Sequence, residues 1–233
     1  MDIFSGWIPQ FHMNYVFQWR AVWASLPHLL EGTLVTLEIT VLSMMLGVAF
    51  AIALAMGRMR TTGVWYHIAT AWVEIARNTP ALFQVYMAFF GLGAFGIYLS
   101  PYTAVLAAVA FNNAGYLAET LRGGFKAVPD TQMSAARSLG MSGLQAHRYV
   151  VLPQVLRIVF LPMTNQMVWA MLTTSLGMVV GLKELAGVTQ LEQSRTFRTF
   201  EFFLAAAAIY FLMAKAILYS ARLVAWRSMK RGA

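Results

Sequence analysis

The chain has 233 residues, of which 59% are hydrophobic and only 11% are charged, and its mean hydropathy is +0.62. Soluble domains carry about 25% charged residues, so this composition indicates a membrane protein of one domain. The absence of cysteine excludes disulfides, thiolate metal sites and thiol catalysis. Four scattered histidines lack the spacing of metal ligands: His12, His28, His67 and His147.

The N-terminal segment, residues 1–31, has the composition of a segment that lies at a membrane interface. Its aromatic residues among polar neighbours are Trp7, Tyr15, Trp19 and Trp23. No basic stretch precedes an apolar run here, so we expect no cleaved signal peptide. We interpret residues 32–226 as a transmembrane domain and residues 227–233 as a basic tail.

Five apolar stretches within the transmembrane domain predict an all-α membrane protein with five spanning helices. They are residues 33–57, 81–99, 102–121, 154–182 and 202–226. The first of them extends about 37 Å as a helix, which is enough to cross a hydrocarbon core. Residues 64–78 predict an amphipathic helix in which Glu74 and Arg77 are spaced to pair with each other. Residues 183–201 are mixed in charge, and we expect them to face water.

The segment between the third and fourth predicted spans, residues 126–153, is polar and is expected to face water. Its local signals predict two short helices that meet at a corner. In chain order these signals are an N-cap at Asp130 or Thr131, a helix end at Gly140, a capping box of Ser142 and Gln145, and a bend or restart at Pro153. We call this segment the polar hairpin.

Small side chains on one side of the first short helix permit the close approach of another protein. They are Ser134, Ala135 and Ala136. Two interpretations stay open on these residues alone: an element that docks on a partner, or a plain solvated loop.

The basic residues predict the orientation of the chain, because cytoplasmic loops carry an excess of Lys and Arg. If the polar hairpin is cytoplasmic, most basic residues at helix ends share its side: Arg58, Arg60, Arg122, Lys126, Arg137, Arg148, Arg157, Arg222, Arg227, Lys230 and Arg231. The net charge of +8 therefore indicates membrane orientation better than nucleic-acid binding. The C-terminus is then cytoplasmic.

Polar residues on the third span follow helical spacing and share one face: Asn112, Tyr116, Glu119 and Gly123. Polar groups in a bilayer are costly unless they are satisfied. This face therefore contacts either a substrate pathway or a neighbouring helix. Glu119 also lies where it can pair with Arg122, three residues later.

The fourth span carries a second polar stripe and a cluster of hydroxyls: Asn165, Trp169, Thr173, Thr174 and Ser175. In one interpretation, the hydroxyls bond back to carbonyl groups of the preceding turn and have no further role. In the other, the third and fourth spans turn their stripes toward each other and hold a zwitterion between them.

Motifs for catalysis are missing from the sequence. No phosphate-binding GxxxxGK[ST] motif is present, and we find no nucleophile with a base, no paired carboxylate site and no zinc pattern. We therefore expect no enzyme activity and no bound cofactor in this chain.

Several motifs resemble the polar amino acid uptake branch of the ABC importer permeases. The similar stretches are residues 32–43, 72–86, 115–132, 148–166 and 174–187. Within the polar hairpin, the pattern of two alanines, Gly140 and Pro153 resembles the EAA loop of that family. The chain departs from the family pattern at three places: Ser134 replaces Glu, Asn78 replaces Gly, and Leu172 with Thr173 replaces a Lys-Asp or Lys-Asn pair.

This resemblance implies the type I ABC importer permease fold and the function of a permease subunit that takes up a polar amino acid in the bacterial inner membrane. It implies a second permease, identical or different, two ATP-binding subunits that hold ATP and Mg, and a soluble amino acid-binding protein. The loop residues that would contact the ATPase are Asp130, Ser134, Ala135, Ala136, Arg137, Gly140 and Arg148.

Three alternatives remain at this point. The chain can be a stand-alone secondary transporter, a non-transporting scaffold, or the structural half of a permease pair that binds no substrate itself. The sequence does not identify the amino acid, and the role of Lys215 near the middle of the fifth span is open, since snorkelling or a structural partner both fit.

Overall fold

The computed structural model describes residues 15–229, and every regular element within that range is helical. The α-helices of this range are α1 (Arg20–Ala24), α2 (Leu26–Arg58), α3 (Val64–Asn78), α4 (Ala81–Tyr86), α5 (Pro101–Ala127), α6 (Asp130–Ser138), α7 (Gly143–Ala146), α8 (Leu152–Thr173), α9 (Leu185–Thr196) and α10 (Thr199–Met229). Shorter π and 3₁₀ segments extend them at Met87–Gly91, Leu92–Phe95, His147–Val151 and Thr174–Val180. Trp7, His12 and the tail residues Lys230 and Arg231 lie outside the described residues.

Three helical stretches among the described residues are long and apolar enough to cross a membrane: Leu26–Arg58, Gly143–Val180 and Thr199–Arg227. They contain the first and fifth predicted spans and all but the last two residues of the fourth. Helix α2 already begins at Leu26, so the end of the predicted N-terminal segment belongs to the first long helix.

The other two predicted spans, residues 81–99 and 102–121, are not among these long apolar stretches. Helix α5 has 27 residues, which is long enough to cross, but its asparagines lower its hydropathy. The apolar helix at Ala81–Phe95 extends only about 22 Å, less than the roughly 30 Å of a hydrocarbon core. The count of five spans therefore stays a prediction.

Helices α2 and α5 form the centre of the bundle, and small residues bring them together. A Cβ added at Gly47 of α2 would lie 2.7 Å from the Cβ of Asn113. A Cβ added at Gly115 of α5 would lie 2.5 Å from the Cβ of Ala76 in α3. The backbones of α2, α3 and α5 approach this closely because these positions carry no side chain.

The polar hairpin has the predicted corner. Gly140 adopts φ +85, and Ser142 and Gln145 form the capping box. The Gln145 N–H donates to Ser142 Oγ at 3.2 Å, and the Ser142 N–H donates to Gln145 Oε1 at 2.7 Å. The helical backbone continues through the π turn at His147–Val151 into α8, whose first turn contains Pro153.

The predicted cap of the first short helix is wrong. Helix α6 begins at Asp130, Pro129 precedes it in an extended conformation, and no side chain caps it. Asp130 is therefore the first helical residue, where its negative charge interacts favourably with the helix dipole, and it cannot also be the N-cap.

The prediction that residues 183–201 face water is wrong for part of this segment, although other residues of it, including Lys183 and Arg195, are exposed. The segment contains α9, and three glutamates of this region are buried: Glu184, Glu192 and Glu201. The Glu184 carboxylate accepts hydrogen bonds from Tyr210 (2.7 Å), Thr36 (3.2 Å) and the Gly187 N–H (2.8 Å). Burial raises the pKa of the Glu184 carboxyl, although these hydrogen bonds favour its ionised form.

The two other buried glutamates attach earlier parts of the chain in the same way. Glu192 accepts a hydrogen bond from Ser25 at 3.0 Å and lies 3.2 Å from His28 Nδ1. Glu201 accepts from the Gln18 N–H at 2.8 Å and from the Tyr15 hydroxyl. Buried carboxylates persist only where such donors surround them, so the charges of this region hold the N-terminal part of the structure to α9 and α10.

Candidate functional site

Asn112, the first residue of the predicted polar stripe on α5, lies in a packed hydrogen-bond network. It is 2% exposed, and its Nδ2 donates to the Ala76 carbonyl at 2.9 Å and to Gln84 Oε1 at 3.0 Å. Gln84 in turn donates to Ala76 O at 3.0 Å and to the Thr79 hydroxyl at 2.9 Å. This geometry fits the interhelical interpretation for Asn112, because the network joins α5 to α3 and α4.

Glu119 forms ion pairs with arginines of three helices. It receives Arg122 Nη2 at 2.6 Å, Arg58 Nε at 3.1 Å and Arg77 Nη1 at 3.9 Å. The side chain of Glu119 is only 15% exposed, so these contacts are partly shielded from water. The pair with Arg122 is the one that the spacing indicates, and the arginines of α2 and α3 add to it.

The predicted pair of Glu74 and Arg77 does not form. Glu74 instead contacts Arg58 at 3.5 Å and accepts from Asn78 Nδ2 at 2.8 Å, whereas Arg77 faces Glu119. Glu74 and Arg77 contact Arg58 and Glu119 instead of each other, because α5 and the end of α2 pack against α3.

The stripes of α5 and α8 meet at two aromatic rings. The centroids of Tyr116 and Trp169 lie 5.9 Å apart, and the Arg77 guanidinium lies 5.5 Å from the Tyr116 ring centroid. Trp169 is 37% exposed, and Asn165, one turn earlier on the same face, is exposed. An accessible face therefore combines a guanidinium, two aromatic rings and an amide, which are groups suited to a carboxylate and an ammonium.

The hydroxyl cluster donates its protons to the helix itself. Thr173, Thr174 and Ser175 donate to the carbonyls of Trp169, Met171 and Leu172 at 2.8, 2.8 and 2.6 Å. Thr173 and Thr174 are also buried. This arrangement fits the interpretation in which the hydroxyls bond back to the preceding turn, and it leaves no free O–H donor for a ligand.

A second polar cluster joins α2, α5 and α8. Gln166 Nε2 donates to Asn113 Oδ1 at 2.9 Å, and Asn113 Nδ2 donates to Ser43 at 3.4 Å. Asn113 and Gln166 were not among the predicted site residues, and no sequence signal indicates that they pair, because they are 53 positions apart. Gln84, Arg58 and Arg77 were likewise not among the predicted site residues.

The outer surface of the polar hairpin carries exposed apolar side chains. Leu139, Leu144 and Tyr149 are 82%, 81% and 64% exposed. Large apolar side chains exposed together are typical of a protein-binding surface.

The predicted docking residues divide into two groups. Ala136 is 3% exposed and packs inside the corner. The others are exposed: Asp130, Ser134, Ala135, Arg137, Gly140 and Arg148. Arg137 Nη1 donates to the Met141 carbonyl at 3.0 Å and braces the turn. The small residues thus do not form one face, since Ala136 closes the corner while Ser134 and Ala135 face outward.

Comparison with known proteins gives consistent matches. The family described as "Binding-protein-dependent transport system inner membrane component" matches residues 47–229. The glutamine transport system permease protein GlnP of Escherichia coli K12 is 35% identical over 201 residues, 84% of this chain and 91% of that protein. The octopine transport system permease protein OccM of Rhizobium radiobacter is 32% identical over 203 residues, 82% of each chain.

Solved structures match as well. The crystal structure of an amino acid ABC transporter with histidines superposes with a TM-score of 0.85 at 30% identity, covering 91% of this chain and all of the other. An inward-facing structure of the MetNI methionine ABC transporter matches with a TM-score of 0.70 at 18% identity, covering 86% of this chain and 96% of the other, which shows a shared fold.

Proposed function

The chain belongs to the binding-protein-dependent transport system inner membrane component family and is a permease subunit of an ABC transporter, and we propose that it imports a polar amino acid or a close derivative. The relatives carry names that include glutamine, octopine and L-cystine transport. Their shared feature is a zwitterionic amino acid group, which supports this substrate class. The family favours this function over a stand-alone secondary transporter or a scaffold.

The exposed apolar surface of the polar hairpin is the observation that carries the coupling part of the proposal. Leu139 and Leu144 project from a corner that is closed by buried Ala136 and Ala146. A rigid corner with an apolar tip fits a cleft in a partner, and we assign that cleft to each of two ATP-binding subunits. ATP and Mg bind on those subunits in this scheme.

The base of the polar hairpin provides the mechanical link to the bundle. Val128 and Val151 at its two ends pack with Val155 and Val159 of α8 in one buried cluster. A force on the hairpin therefore reaches α8, and through the Tyr116–Trp169 contact it reaches α5. Closure of the ATPase pair would move these helices as rigid bodies and alternate the access of the pathway.

We place the substrate pathway along the accessible face of Arg77, Tyr116, Asn165 and Trp169. Arg77 can bind a carboxylate in a bidentate manner, and the aromatic rings can bind an ammonium. Asn112 and Glu119 would support this face from behind. A second permease, identical or different, would complete the pathway. If this chain is the non-binding half of a pair, the second permease alone holds the substrate.

Copurification tests the coupling part. In the transporter assembled with its ATP-binding subunits, Leu139→Asp with Leu144→Asp is expected to reduce the retained ATP-binding chain by about tenfold or more, since charges in an apolar docking surface are costly. Tyr98→Asp is the matched control, because Tyr98 is 83% exposed and precedes α5, at the end of that helix opposite to the hairpin. Unchanged retention in the leucine variant would refute the docking assignment.

A further inference from the structure

A cavity of about 720 Å³ lies where the end of α2, the last turn of α5 and the polar hairpin meet. Its lining includes Arg58, Arg60, Phe125, Lys126, Met133 and His147. The pathway face and the exposed leucines of the hairpin are not part of this lining, and Asp130 is the one proposed ATPase contact in it. The proposed pathway and docking surface therefore give no role to Arg60 and Lys126, which also line the cavity.

The charges at its rim leave two cations without an anionic partner. Arg58 is already bound to Glu119 at 3.1 Å. Arg60 and Lys126 are exposed and form no ion pair within residues 15–229. Asp130 is the carboxylate in the lining. The two positive charges of Arg60 and Lys126 exceed its single negative charge.

The floor of the cavity is apolar. Val128 and Val151 line it and belong to the buried valine cluster at the base of the hairpin. Phe125 and Met133 line it too and pack against that cluster. A cationic rim over an apolar floor, at the end of a membrane-spanning bundle, suits a molecule with an anionic head and an apolar tail.

We propose that this cavity binds an anionic phospholipid, with its phosphate on Arg60 and Lys126 and an acyl chain against Phe125 and Met133. Arg and Lys bind phosphate through charge-assisted hydrogen bonds, and basic pockets at the ends of membrane helices select anionic lipids. The lining includes both the bundle and the hairpin, so the bound lipid contacts both and restrains the hairpin.

Native mass spectrometry of the full-length chain in its assembled transporter tests this, with phosphatidylglycerol and phosphatidylcholine as the added lipids. Arg60→Gln with Lys126→Gln is expected to weaken phosphatidylglycerol binding about tenfold. The matched control is Arg157→Gln with Arg227→Gln, because both arginines are exposed and lie outside the lining. Its phosphatidylglycerol binding is expected to stay within about twofold of the unsubstituted chain.

Three outcomes would overturn the proposal: an equal loss in the control, equal binding of phosphatidylcholine and phosphatidylglycerol, or displacement of the lipid by millimolar inorganic phosphate. If the double variant does not assemble, Lys126→Gln alone is expected to weaken phosphatidylglycerol binding about threefold, and no change there contradicts the site. Binding is measured directly, so the result does not depend on the amino acid that is transported.

Discussion

At the residue scale, Glu119 is a charge that joins three helices. One carboxylate contacts arginines from α2, α3 and α5, and it is mostly shielded from water. Removing a charge from such a site leaves the guanidinium groups close together with no anion between them.

We expect Glu119→Gln to destabilise the folded chain by about 2 kcal/mol, the range for hydrogen bonds to charged groups. Thermal unfolding in detergent measures this. Glu74→Gln is the matched control, because Glu74 also contacts Arg58 but its side chain is 55% exposed, and exposed pairs contribute about 0–1 kcal/mol. Equal losses in the two variants would contradict the central role of Glu119.

Trp169 is the residue on which the proposed pathway depends most directly. Trp169→Leu removes the ring that faces Tyr116 and is expected to raise the KM for amino acid uptake into vesicles about tenfold if the ring contacts the ammonium. Leu161→Ala serves as the control, since Leu161 lies on the same helix and is 61% exposed. A KM that is unchanged for Trp169→Leu would remove this residue from the pathway.

At the element scale, the corner of the polar hairpin depends on Ala136 rather than on Ala135. Ala136 is 3% exposed, so Ala136→Leu forces extra volume into a packed corner and is expected to cost about 1–3 kcal/mol. Ala135 is exposed, and Ala135→Leu is expected to leave the thermal stability of the isolated permease unchanged. Equal melting temperatures for the two variants would show that the corner is not tightly packed.

At the scale of the whole molecule, the orientation in the membrane is the property that the other assignments require. The chain contains no cysteine, so single cysteines can report on it. Ser138→Cys on the hairpin is expected to react with a membrane-impermeant maleimide only in inside-out vesicles, because the basic residues predict a cytoplasmic hairpin. Tyr98→Cys is expected to react only in right-side-out vesicles, and the opposite pattern would reverse the predicted topology.

Local signals in the sequence were enough wherever a few neighbouring residues decide the structure. The left-handed Gly140, the Ser142–Gln145 capping box and the Glu119–Arg122 pair each involve residues within one or two turns. The same holds for the three hydroxyls at the end of α8 and the start of the 3₁₀ segment after it, which bond to the preceding turn. The predicted cap at Asp130 or Thr131 is wrong because α6 begins at Asp130, directly after the extended Pro129, so both residues are already helical.

The sequence by itself determined the membrane class of the protein, its helical composition and the position of the polar hairpin, because these follow from hydropathy and from short-range backbone chemistry. Only the tertiary structure decided that Glu184, Glu192 and Glu201 are buried. The same is true of the contact of Arg77 with Glu119 in place of Glu74, and of the contact between the Tyr116 and Trp169 rings. Each of these depends on a donor or a ring that comes from a distant part of the chain. Hydropathy alone predicts that a charged side chain faces water. A buried position becomes possible only when helix packing brings a hydrogen-bond donor or an opposite charge next to it.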